Sequence, residues 1–244
     1  MIVLGFSLAL LIGLSLGLLG GGGSILTVPV LHYVLEYGLE ESIQMSLIVV
    51  GLTSAFGAAG HWRAGNLHWR AAMAFAPPAI LGSVVGAELG LRVDDHIQLT
   101  VFSIVMLGAA LSMLLGVRPA PKTWPHPLPL ETLVGAAVGV LTGFVGVGGG
   151  FLYVPALVLL AGLAIRQAIG TSLVLILVSC IGGAIRYHGK VPLDWTAIAV
   201  FTGLAFVGVT VGSRLVPHVP QESLRRGFAV FLLGVGTLVL VIGR

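Results

Sequence analysis

The chain has 244 residues, 57% of them hydrophobic and 9% charged, with a mean hydropathy of +1.09. A soluble domain carries about a quarter charged residues, so this chain cannot solvate its own surface and lipid must be its solvent. Its net charge of +3 forms no basic stripe interleaved with aromatics, which excludes nucleic acid as a partner, and its single cysteine excludes an intrachain disulfide and a cysteine metal site.

Residues 2–19 are apolar and lack the positive n-region of a signal peptide, so they read as part of the membrane domain. Gly20, Gly21, Gly22 and Gly23 follow, then a short apolar arm over 24–35. Glu36, Glu40 and Glu41 mark a wet turn. Spans are expected over 43–60, 71–91 and 97–117, separated by a polar segment at 61–70 and by Arg92, Asp94, Asp95 and His96. Residues 118–129 are a Pro-rich linker. The pattern then restarts. An apolar arm over 130–145 is broken by Gly146, Gly148, Gly149 and Gly150, a short arm covers 151–163, and three more spans are expected over 168–185, 195–216 and 224–242.

The restart is an internal repeat. A gapless shift of 126 residues matches roughly a quarter of positions between 13–114 and 139–240. Gly20, Gly22, Gly23, Leu26, Val28 and Pro29 fall on Gly146, Gly148, Gly149, Leu152, Val154 and Pro155. Ser46 and Leu47 fall on Ser172 and Leu173, Leu67 and Trp69 on Leu193 and Trp195, and Gly82 and Gly86 on Gly208 and Gly212. The expected fold is therefore an all-α polytopic membrane protein. It has a first repeat at 1–117, the linker at 118–129 and a second repeat at 130–244, each repeat a glycine-broken helix hairpin plus three transmembrane helices. Duplicated halves are the usual build of secondary transporters.

The halves could run parallel or inverted. If both arms of each hairpin cross fully, the halves are parallel and the 12 Lys and Arg divide seven to five between the two sides. If the hairpin dips in and returns, the halves are inverted. Arg63, Arg70, Arg118, Lys122, Arg166, Arg214, Arg225 and Arg226 then share one side, against Arg92, Arg186, Lys190 and Arg244. Eight against four fits the positive-inside rule better and places both termini outside. Short second arms of about 12 residues also suit a half-helix.

Irregular backbone survives in lipid only where it is buried in protein or lines a wet cavity. The arm after each glycine cluster starts a helix whose free N–H groups carry partial positive charge and suit an anion. Gly20, Gly22, Gly23, Ser24, Gly146, Gly148, Gly149 and Gly150 are thus candidate binding residues, the two ends expected to converge on one anionic group. Tight helix packing by small residues is the competing explanation. Ser46, Thr171 and Ser172 join the candidates because a hydroxyl can donate to an oxyanion. Gln44, Thr53, Ser54, Ser179 and Cys180 are further polar groups within spans. His61, Arg63, His68, Arg186, His188 and Lys190 read most simply as interfacial, with anion recruitment or proton relay as the alternative. Glu88 and Arg214 occupy equivalent positions with opposite charge, and Trp62, Trp69 and Trp195 read as interfacial anchors.

No paired carboxylates lie in one span, and metal-ligand spacing, a nucleophile elbow and a Walker loop are missing. No catalytic residue, metal or cofactor is expected. The expected partners are a small anionic substrate and the lipid bilayer, with homo-oligomer formation open. The competing functions are an anion channel and a membrane-embedded enzyme or complex subunit.

The stretches Gly-Leu-Leu-Gly-Gly-Gly-Gly-Ser-Ile-Leu-Thr-Val-Pro at 17–29 and Gly-Phe-Val-Gly-Val-Gly-Gly-Gly-Phe-Leu-Tyr-Val-Pro at 143–155 resemble the sulfite exporter TauE/SafE family. So do Gly-Thr-Ser-Leu at 170–173 and Gly-Lys-Val-Pro-Leu-Asp-Trp at 189–195. The resemblance runs through both halves. It implies a duplicated fold without a tightly bound cofactor, acting as a bacterial inner-membrane carrier of small sulfur-containing anions such as sulfite or organosulfonates. It fixes neither substrate nor direction. One departure is His68, which stands where the second half has Asp194.

Overall fold

The computed structural model describes residues 2–90, 92–115, 128–145, 150–159, 161–187 and 192–242. Among them are ten α-helices and no strand. The first half holds α1 (Ile2–Leu19), α2 (Gly22–Pro29), α3 (Leu39–Arg63), α4 (Trp69–Gly90) and α5 (Asp95–Leu114). The second holds α6 (Leu128–Val145), α7 (Gly150–Leu159), α8 (Ile165–Tyr187), α9 (Trp195–Leu215) and α10 (Gln221–Ile242). α2 continues into a π-turn, Val30–Val34. α6 takes up the last two linker residues, with Pro129 in its first turn, where the missing N–H costs nothing.

Among the described residues, five helices are long and apolar enough to cross a bilayer: the segments Glu40–Arg63, Trp69–Gly90, His96–Leu114, Ile165–Ile185 and Trp195–His218. They contain five of the six expected spans, the 71–91 one as far as Gly90 and the 97–117 one as far as Leu114. The sixth lies in α10, a helix of 22 residues that opens on charge: Glu222 pairs with Arg225 at 3.1 Å and Arg226 at 2.8 Å.

Glycine sets the closest helix pairs. On α1, Gly13 lies on the backbone of Ala205 and Gly17 on that of Val209 and Ser213; on α9, Gly208 and Gly212 lie on Leu10 and Leu14. On α6, Gly135, Gly139 and Gly143 lie on Phe75, Ala79 and Ser83; on α4, Gly82 and Gly86 lie on Ala136 and Val140. A Cβ at most of these positions would overlap a backbone carbonyl. Small residues four apart are what lets two helices come this close where no water drives them together. In both interfaces residue numbers rise together, so α1 is parallel to α9 and α6 to α4. α3 and α8 run antiparallel, with Leu47 on Gly183, Gly51 on Cys180 and Gly57 on Leu173. α3 lies parallel to α9, through Gly57 on Val209, Gly60 on Ser213 and the Phe56 and Phe206 rings at 4.6 Å.

The helix pairings are their own mirror when the halves are exchanged: α1 with α9 answers α6 with α4, α3 with α9 answers α8 with α4, and α2–α7, α3–α8 and α5–α10 map onto themselves. α2 folds back on α1, Gly23 against Ile12, and its end meets Ala9 and Ile12 in one cluster with Met45, Val49 and Phe201. The larger core gathers α7 and α8 side chains, including Tyr153, Leu157, Leu173 and Ile176, with Phe75, Met106 and Phe228.

Two latches define the ends of the bundle. At one, Tyr37 Oη donates to Asp194 Oδ2 at 2.8 Å, tying the turn after the π-turn to the start of α9. At the other, Arg166 donates to the carbonyls of Pro217 and Val219, and the His68 N–H donates to Thr171 Oγ1 at 3.0 Å. Glu88 pairs with Arg92 at 2.9 Å rather than with Arg214. Trp62, Trp69 and Trp195 are exposed, the first two edge to face at 6.0 Å.

Candidate functional site: a helix break inside the bundle

α1 stops at Leu19 because Gly20 turns left-handed, with φ +73°. That conformation is cheap only for glycine. The chain reverses through Gly21, and α2 starts at Gly22. The turn is fully buried. A Cβ on Gly20 would stand 2.6 Å from Ser172 Oγ, 3.0 Å from Val154 Cγ2 and 3.3 Å from Ile169 Cα. Ile169 and Ser172 are four and seven residues into α8, so the break lies about 6–10 Å inward from that helix's start.

The first-turn N–H groups of α2 have no partner within the helix. Ser24 bends its own N–H and hydroxyl back to the Gly21 carbonyl, at 3.3 and 2.7 Å. No carboxylate is carried by α1, α2, α7 or α8. A buried, carboxylate-free helix N-terminus favours negative charge.

The expected site residues divide. Gly20 makes the turn. Gly22 opens α2 near Ser15 and Phe231, and Gly23 is a packing glycine, its Cα face closed by Ile12 and Leu16. Ser172 borders the break, and Thr171, next to it on α8, meets the start of α4 at His68. Each hydroxyl is engaged: Thr171 accepts from His68, and Ser172 donates to the Ile169 carbonyl at 2.8 Å. Ser46 is on α3. Its hydroxyl and the Gln44 side-chain oxygen are buried with no hydrogen-bond partner. Gly146, Gly148 and Gly149 lie outside the described residues, and Gly150 opens α7. Gly20 meets α7 at Val154, four residues past Gly150, so the first break borders the flank of α7.

One residue was misplaced by sequence reasoning. His61 is not interfacial: it is 1% exposed, and its Nε2 donates to the Gly17 carbonyl at 3.2 Å. The cause is the break itself. A helix that ends inside the bundle leaves its last four carbonyls without intrahelical donors, and Gly17 is among them. Because a carbonyl only accepts, Nε2 carries the hydrogen and Nδ1 is left as a buried acceptor without a partner. Gly170 on α8 packs on the His61 Cβ and on the Asn66 carbonyl, so α3, α8 and the 64–68 turn all close around the break. The signal was available: an intramembrane helix end demands a donor.

His68 and Asp194 turn out to share a role. Asp194 Oδ1 accepts the Thr196 and Ala197 N–H groups at the start of α9, at 3.0 and 2.9 Å, and His68 Nδ1 accepts the Ala71 N–H at the start of α4, at 3.2 Å. Each caps the helix that follows it. The Asp194 carboxyl is held below the usual range by the Ala197 N–H and by Tyr37, while burial and Asp194 push the Tyr37 hydroxyl up to about 12.

Among the described residues no cluster of His, Cys, Asp or Glu could hold a metal. The family model described as "Sulfite exporter TauE/SafE" matches residues 5–239. A Xylella fastidiosa protein named "Probable membrane transporter protein" is 32% identical over 94% of this chain and 91% of its own length. A Haemophilus influenzae protein of the same name is 28% identical over 91% and 92%, and a Bacillus subtilis relative, YdhB, is 26% identical over 91% and 92%. The glycine breaks, the all-helical membrane bundle and the match over nearly its whole length agree: the chain belongs to the sulfite exporter TauE/SafE family of membrane transporters.

Proposed function

We propose that this protein is a secondary transporter that carries a small sulfur-containing anion, sulfite or a sulfonate, across the bacterial inner membrane. The observation that carries the reading is the Gly20 break: a buried, left-handed turn packed on Ser172, with His61 bonded to the Gly17 carbonyl before it and a carboxylate-free helix start after it. The family's description supports sulfite as the first substrate to try.

The halves at 1–117 and 130–244 act as inverted repeats joined by the 118–129 linker. The helix directions support this. α4 starts beside Thr171 and meets Gly182 at Ile80 and Ser83, so it runs parallel to α8. α6 follows α4, while α3 opposes α8; α1 and α6, equivalent under the shift, then run in opposite directions. Rocking of one half against the other opens the break alternately to each side. The end that carries Arg63, Arg70, Arg166, Arg214, Arg225 and Arg226 faces the cytoplasm by the positive-inside rule, and the Tyr37–Asp194 latch faces outward. An exported anion moves downhill on the membrane potential.

The test is a thermal-shift panel on the purified protein with sulfite, sulfate, thiosulfate, sulfoacetate, taurine, a dicarboxylate and chloride. A ligand that binds only the folded state raises its stability by mass action. Selective stabilisation by a sulfur oxyanion is expected. Stabilisation by the dicarboxylate alone would remove the sulfur assignment.

A further inference from the structure

His61 has a second ring nitrogen that the packing leaves unused. Nε2 donates to the Gly17 carbonyl, and Nδ1 is a buried acceptor with no partner. Among the described residues His61 is the one buried histidine. A buried lone pair left unmatched is costly and calls for an explanation. Water is close by: Trp62, Arg63, Ala64 and Gly65 follow in the chain and are exposed. Nδ1 is therefore a base sealed inside the bundle within one turn of its wet end. Under the 126-residue shift His61 falls on Tyr187, so one half carries an imidazole at this position and the other does not.

The charges around it decide when that base can hold a proton. α1, which brings Gly17, carries no titratable side chain. α8 meets His61 at Gly170 and carries Arg166 one turn earlier, bonded to the carbonyls of Pro217 and Val219. α9 meets the last turn of α3 through Ser213 on Gly60 and carries Arg214 beside it. Arg63 ends α3 itself, and the turn that follows brings His68, whose Nδ1 accepts the Ala71 N–H. The carboxylates of α3, Glu40 and Glu41, stand at its other end, about 30 Å away. No carboxylate among these groups balances an imidazolium at position 61.

An anion at the helix break supplies the missing charge. Gly17 lies one turn before Gly20, about 5 Å along the helix. A proton on His61 and an anion at the break each raise the other's affinity, and by the same factor. We propose that His61 is the proton site that couples transport: Nδ1 takes a proton from water as the anion binds and returns it to water as the anion leaves. The inference rests on the anion reading given above. Nε2 keeps its hydrogen on the Gly17 carbonyl in both states, so the end of α1 stays capped while the charge changes. A divalent anion then travels with one net negative charge. The membrane potential drives that charge outward, an inward proton gradient drives it inward, and their balance sets the direction.

Proteoliposomes test it, with the membrane potential clamped at zero by potassium and valinomycin and the leak measured in protein-free vesicles. Counterflow of labelled sulfite reads carriage without a gradient, and sulfite uptake into an alkaline lumen reads proton drive. The wild type is expected to show both, and one proton per anion concentrates the label about tenfold for each unit of pH difference. His61→Gln keeps a nitrogen donor for Gly17 and has no titrating nitrogen. Its gradient-driven uptake relative to its counterflow should fall by about that factor. His61→Asn repeats the test should the glutamine variant fail to fold. Wild-type counterflow with no response to the pH difference overturns the proposal and leaves the carrier standing. So does a variant that keeps its gradient response, as a carrier of bisulfite would without help from His61. A variant that folds and loses both activities together marks a structural residue and also overturns it. Absence of counterflow in the wild type removes the anion reading, and this inference with it.

Discussion

Replacing Gly20 by alanine tests how the break is built. Two costs are expected, and the protein supplies a control that separates them. The first is conformational: an L-residue at φ +73° costs about 1–2 kcal/mol. The second is spatial, because the new Cβ would stand 2.6 Å from Ser172 Oγ and 3.0 Å from Val154 Cγ2 in a fully buried turn. Overpacking of this kind costs about 1–3 kcal/mol, so Gly20→Ala should lose about 2–5 kcal/mol in total, summing these two ranges. Gly65 has φ +71° with nothing within 4 Å of its Cβ position, so Gly65→Ala should lose only the conformational part. Adding Ser172→Ala to Gly20→Ala removes the closest contact and should recover part of the spatial loss and none of the conformational one. The assay is equilibrium unfolding in detergent, with substrate flux measured on whatever folds. Equal losses for Gly20→Ala and Gly65→Ala would refute the claim that the turn is packed against Ser172 and Val154.

Other substitutions probe other levels. Gly86→Val puts side-chain carbon onto the Val140 carbonyl, where no rotamer can yield, and should lose at least about 3 kcal/mol. Gly203→Ala, in open space on α9, should be neutral or gain up to about 1 kcal/mol from helix propensity, read in the same unfolding assay. His61→Ala leaves the Gly17 carbonyl unpaired at a cost of about 1–3 kcal/mol, and His61→Gln, which keeps a nitrogen donor, should recover part of it. The Tyr37–Asp194 latch predicts a pH window. The lowered Asp194 carboxyl contributes stability above the ordinary carboxylate range and loses it as pH falls through its folded value; the Tyr37 hydroxyl, pushed up to about 12, contributes below its ordinary value and loses that as pH rises through about 12. Tyr37→Phe should raise the Asp194 carboxyl value only part of the way back, since the Ala197 N–H remains, and a carbon-13 carboxyl titration reads it.

Much of the fold could be read from composition and period. The glycine run at 20–23 marked a break inside apolar sequence, and the α1–α2 reversal sits there. Five expected spans lie in helices long enough to cross. Gly82, Gly86, Gly208 and Gly212 were visible as repeat matches, but a match says which positions are equivalent and not which ones touch. Each glycine pair packs on the opposite half, Gly208 and Gly212 on α1 and Gly82 and Gly86 on α6. His61 was misread because a histidine near the end of an apolar run has the same sequence signature at an interface as under a helix end. The roles of Gly22 and Gly23 were joined in one cluster, yet Gly23 serves the α1–α2 contact. Thr171 and Ser172 were legible as polar groups near a break. That their hydroxyls are engaged by His68 and Ile169 depends on backbone three residues or a hundred away.

The central claim is that this bundle carries an anion by alternating access, and counterflow tests it most directly. Proteoliposomes loaded with unlabelled sulfite are diluted into a trace of radiolabelled sulfite. A carrier predicts transient uptake of label above its outside concentration, abolished when the vesicles are loaded with choline chloride alone. Uptake that only equilibrates, whatever the vesicles contain, would contradict the account and leave a passive pore in its place.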